Sequence, residues 1–150
     1  MKRQTLLRSA LAAGLVALVT AGCGSMRPSQ KIDIYEARLS GAQEVPANNS
    51  TGSGQAELKW NRSSNVLDWK VTYTGLSGEV TGAHIHGPAG PGQNAGVVIP
   101  FMTGLSGTIT GQTNLTTAQA ADLASGRWYV NVHTSAFPGG EIRGQLSERK

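Results

Sequence analysis

"NVLDWKVTYTG", residues 65–75, alternates without a break. Val66, Asp68, Lys70 and Thr72 fall on one side, and Leu67, Trp69, Val71 and Tyr73 on the other. Successive strand residues point to opposite faces, so this is a strand with one apolar and one wet face. "GQAELKWN" at 54–61 repeats the pattern, and Gly, Asn and Ser bound both runs. "KIDIYEARLSG" at 31–41 alternates as well. Ile32, Ile34 and Glu36 are expected to share a face, with a bulge before Ala37 and Leu39 take over the apolar register. "GTITGQTNL", "RWYVNVHT" and "GEIRGQLS" obey the same rule.

One segment breaks it. "TTAQAADLASG", residues 116–126, has alanines and a leucine at helical spacing. Thr116 and Gln119 fit a capping box and Gly126 a helix stop, which predicts a short helix between two strands. Twenty glycines punctuate the chain. Many short strands with Gly-rich turns predict an all-β fold: an antiparallel, Greek-key-like sandwich or barrel with one short connecting helix.

The ends of the 150-residue chain read differently. Residues 1–22, "MKRQTLLRSALAAGLVALVTAG", place Lys2, Arg3 and Arg8 before the apolar run Ala10–Val19, which predicts a secretory signal peptide. The run is short of the roughly 20 residues a membrane span needs. Cys23 is the only cysteine, so no disulfide is expected inside the exported domain. The segment "TAGCGS" resembles the lipobox of bacterial lipoproteins, with Thr20 where that pattern usually has leucine. The resemblance implies lipidation at Cys23 and a tether over 23–30 leading to a domain over 31–147. In such lipoproteins an aspartate after the cysteine often marks inner-membrane retention. Gly24 stands there, so an exported protein anchored to the cell envelope is expected, at the outer membrane where the cell has two.

Removing the signal segment lowers the net charge from +4 to +1. The remaining Lys and Arg do not cluster, which argues against a nucleic-acid partner. The loop "GPAGPGQNAG" at 87–96 lacks the acidic residues of a calcium loop and the lysine of a phosphate loop. It reads as a structured surface loop beside the preceding strand.

That strand is "TGAHIH" at 81–86. Alternation sends Ala83 and Ile85 inward, and His84 and His86 side by side to the other face. In "RWYVNVHT", Trp128, Val130 and Val132 are the inward set, leaving Tyr129, Asn131 and His133 opposite. All three histidines of the chain thus leave their strands on the non-core side. If the strands meet, His84, His86 and His133 present three imidazoles on a rigid sheet. Imidazoles suit copper, zinc, iron and nickel, and three leave a coordination position open.

"LSGAQEVP" at 39–46, "GAHIHGPAG" at 82–90, "YVNVHT" at 129–134 and "PGGEIRGQL" at 138–146 resemble the CHRD domain, the module first defined in chordin and widespread in bacteria. That resemblance covers nearly all of 31–147 and implies an all-β domain. "AHIHG" and "GRWYVNVH" are also similar to two copper-ligand strands of copper/zinc superoxide dismutase, which implies copper on His84, His86 and His133. No histidine remains for a zinc bridge, and the enzyme's disulfide cysteines are missing. By the same resemblance, Arg143 is a speculative catalytic residue near the metal. The plainer expectation is an exposed arginine paired with Glu141. Glu44 is a possible outer carboxylate with no assigned place.

The expected function is metal handling or redox protection at the envelope, with copper as the cofactor and zinc as the alternative. An enzyme, either dismutase-like or a three-histidine zinc hydratase, stays open, as does a metal-free interaction module whose protein partner the sequence does not name.

Overall fold

The computed structural model describes residues 31–101 and 105–150. The expected signal peptide, Cys23 and the tether lie outside the described residues. Among the described residues nine strands and one α-helix follow in order. They are β1 (Ile32–Ser40), β2 (Ser53–Asn61), β3 (Val66–Thr74), β4 (Val80–His86), β5 (Val97–Pro100), β6 (Thr108–Asn114), α1 (Thr117–Ala124), β7 (Tyr129–Thr134), β8 (Ile142–Gln145) and β9 (Ser147–Glu148).

The strands form one sheet in the order β5-β4-β7-β8-β1-β2-β3-β6, with β9 paired to β1. Every pairing is antiparallel. The fold is therefore all-β, and the sheet curls into a half-barrel around its apolar face. Leu58, Leu67, Val71, Ile85, Ile109, Trp128, Val130 and Val132 are fully buried there. Next to β5, Phe101 stacks on Trp69 of β3 with ring centroids 5.1 Å apart, so the two ends of the sheet approach. Among the described residues β5 pairs with β4 and β6 with β3, and the seam between β5 and β6 is not hydrogen-bonded. A Cβ at Gly111 would stand 2.4 Å from Trp69 Cζ2, so glycine is what lets this indole lie across β6.

The bulge expected in β1 is absent. Its register with β2 runs unbroken from Ile32 opposite Asn61 to Ser40 opposite Ser53. Asp33, Tyr35, Ala37 and Leu39 form the inward set, and Ile32 lies outward, 48% exposed. Tyr35 fills the core in place of the isoleucines, and Asp33 is paired with Arg62 at the sheet's end. The helix follows its capping box: the Thr116 hydroxyl accepts from the Gln119 N–H, and the Gln119 side chain accepts from the Thr116 N–H. Ala120 and Leu123 face the core, and Gly126 follows at φ +69°.

Candidate metal centre

β4 and β7 are direct neighbours, paired with Gly82 opposite His133, His84 opposite Asn131 and His86 opposite Tyr129. Side chains at 82, 84 and 86 share a face, as do those at 129, 131 and 133. His133 is thus diagonal to His84, within reach of a long side chain. Ring centroids are 5.0 Å apart for His84–His133, 5.4 Å for His84–His86 and 6.1 Å for His86–His133. One ring nitrogen from each residue lies within 4.8 Å of one from each of the others. A Cβ at Gly82 would sit 3.2 Å from His84 Cε1 and 4.0 Å from His133 Cδ2, so this glycine gives the rings room to lean together.

Two backbone carbonyls orient the cluster. His86 Nδ1 lies 3.0 Å from the Ala95 carbonyl, and His133 Nδ1 lies 2.9 Å from that of Pro138. A carbonyl only accepts, so in the neutral ring Nδ1 carries the proton and Nε2 keeps its lone pair. The nitrogens left buried without a hydrogen-bond partner are His84 Nδ1, His86 Nε2 and His133 Nε2, one from each ring. Burial, with help from His133 and His86, pushes the His84 proton affinity down to about 4. Burial also lowers His86, and His133 and Arg143 add to that effect. These two imidazoles are therefore neutral at pH 7, the form that binds metal.

The same face continues into buried polar side chains. Tyr129 stacks on His86 with centroids 5.0 Å apart and planes 6° from parallel. Its hydroxyl bonds to Ala95, accepting from the N–H at 3.1 Å and donating to the carbonyl at 3.3 Å. Arg143 is not the exposed partner of Glu141 that was the plainer expectation. It is 2% exposed, its Cζ lies 3.5 Å from the Tyr129 ring centroid, and it donates to Asn94 Oδ1 (3.0 Å) and the Gln93 carbonyl (2.6 Å). Glu141 is not its partner. That carboxylate is fully buried and accepts from Ser50 Oγ (2.6 Å), Thr134 Oγ1 (2.6 Å) and the Ser77 N–H (2.7 Å). Arg143 leaves the pair because the loop at 87–96 covers the outer face of β7 and β8, burying the guanidinium against Tyr129. Arg143 reaches the histidines through the Tyr129 ring, and its charge contributes to the lowered His86.

Glu44 acquires a location. It is buried, and both its oxygens accept from Asn131 Nδ2 at 3.0 Å, on the strand that carries His133. Burial raises its carboxyl to about 7 against the opposing influence of Asn131 and Arg143. Tyr129 and Asn131 were visible in the sequence as the non-core set of β7. Their burial was not, because it depends on loops that alternation cannot place.

An antiparallel half-barrel carrying three converging imidazoles on its loop-covered face is the kind of domain the structure defines. The family model described as the CHRD domain matches residues 35–146, and the chain belongs to that family. No curated protein and no solved structure matches it.

Proposed function

We propose that this CHRD domain binds one transition-metal ion through His84, His86 and His133, and serves metal capture or handling at the cell envelope. The observation that carries the reading is the trio of buried ring nitrogens, one per histidine, left without partners. A buried polar atom without a partner is costly, and an ion held in common would satisfy all three. Bonds of about 2.0–2.1 Å in a tetrahedral site place nitrogens about 3.3 Å apart, so ring nitrogens now within 4.8 Å need close by no more than about 1.5 Å. Among divalent ions, nitrogen sites of this type hold copper more tightly than zinc, which makes copper the first assignment and zinc the second. The likeness of the two strands to copper-binding strands of dismutases points the same way. Attachment of the exported chain by lipid at Cys23 belongs to the same proposal and rests on the lipobox-like segment.

The metal-free docking reading gains little. The exposed large apolar side chains among the described residues are Ile32 and Val97, on strands well separated in the sheet. The test is metal analysis of the purified protein carrying no polyhistidine tag, followed by titration with copper and zinc. Saturating metal should raise the melting temperature, because it binds the folded state. His133→Ala should lose most of that rise and keep the metal-free fold. Equal copper affinity in the triple alanine variant at 84, 86 and 133 would sink the proposal.

A further inference from the structure

The sheet order puts β7 between β4 and β8, so Tyr129 is sandwiched between His86 on one side and Arg143 on the other. The result is a three-layer stack of imidazole, phenol and guanidinium. The stacking distances keep the Arg143 charge within about 8.5 Å of the His86 ring centre. The hydrogen bonds of Arg143 go to the neutral oxygens of Asn94 and Gln93. Glu44 feels the guanidinium through space, but its carboxyl, raised to about 7, is only partly ionised at neutral pH. The cationic charge is thus poorly compensated and faces the metal-binding side through a single ring.

The ligand set has no charge of its own. Among the described residues the group able to hold an ion consists of the three imidazoles, with no carboxylate or thiolate in it. Their partnerless nitrogens are closed off from solvent. The cost of taking an ion out of water grows with the square of its charge, so it is about four times larger for a divalent ion than for a monovalent one of equal size. A fixed cation beside the site adds repulsion in proportion to the charge of the guest.

Resting on the metal reading above, we propose that this site selects a monovalent soft cation, cuprous copper in a cell, over divalent ions, and that Arg143 sets part of that preference through Tyr129. Three neutral nitrogen donors suit a d10 monovalent ion, which accepts low coordination. With an effective dielectric constant of about 20, one extra unit of charge on the guest is worth about thirtyfold in affinity at this distance.

Silver(I) and zinc(II) make the test, since both have closed d shells and neither changes oxidation state on binding. The chelator-treated protein is exposed to equimolar Ag+ and Zn2+, and bound metal is measured after gel filtration. Silver should occupy the site and exclude zinc. Arg143→Met should narrow the silver-over-zinc ratio about thirtyfold, and Arg143→Lys should restore most of it. Zinc retained against equimolar silver overturns the inference while leaving a metal site in place. So does an unchanged ratio in a folded Arg143→Met protein. Should Arg143→Met fail to fold, the wild-type competition alone decides. Binding of neither ion removes the metal site itself and this inference with it.

Discussion

His84 and Glu44 sit on one face of the sheet and titrate in opposite senses. His84 is held down to about 4, below its ordinary 6.5, because burial and two neighbouring imidazoles disfavour its charged form. Between those pH values the unfolded chain takes up a proton that the folded one refuses, so metal-free stability should fall as pH drops from about 6.5 toward 4. Glu44 is raised from 4.5 to about 7. It holds its proton when folded, so its contribution is fully present below pH 4.5 and is lost as pH rises through about 7. Glu44→Gln imitates the neutral acid and can still accept from Asn131. Thermal melts of that variant should lie above the parent beyond pH 7 and meet it below pH 4.5. His84→Gln should flatten the acid limb instead. The histidine trio was legible in the sequence because period-two alternation fixes which face a strand residue takes, and all three shared one. Glu44 was not, since its burial depends on contact with Asn131, 87 residues away.

The loops and turns around the strands carry interactions that no periodicity announces. Glu141 and Arg143 lie two apart in "GEIRG", which suggested a surface ion pair. Instead Glu141 ties Ser50, Ser77 and Thr134 together, joining three separate parts of the chain. Burial alone would raise its carboxyl, but these hydrogen bonds outweigh it and lower the value. Glu141→Gln turns an amide NH2 donor toward existing donors and leaves one of them unmatched. A loss of about 2–4 kcal/mol in denaturant unfolding is expected, typical of a buried charged hydrogen-bond group losing its partners. The helix is the opposite case. Its cap, its spacing and its stop were all local, and all were readable. Thr116→Ala should cost about 1 kcal/mol in the same measurement. In β1 the two isoleucines misled the reading, because hydrophobicity alone ranks them above Tyr35 and Asp33. The pleat has only two faces, and Ala37 with Leu39 had already fixed which one is inside.

For the molecule as a whole, stability rests on sheet pairing and a single apolar interior. A chain beginning at Gln30 should give a β-rich circular dichroism spectrum and a cooperative melt unchanged by reductant, since Cys23 is the only cysteine of the full sequence. A disordered spectrum would show that residues before 30 are needed for folding. In cells, Cys23→Ser should move the protein from the membrane fraction to the soluble one. Retention of the variant in membranes would place the anchor elsewhere. The unpaired seam has a further consequence, for solution behaviour. Among the described residues the half-barrel keeps two edges without a strand partner, and they are not equally guarded. β5 is four residues long and ends in Pro100, which has no amide hydrogen to offer a neighbouring chain. β6 spans seven residues, "TITGQTN", with no charge and no proline. Crowded molecules should therefore add to one another along β6, and slow turbidity growth in concentrated samples should be suppressed by a lysine at the exposed Thr110 or Gln112.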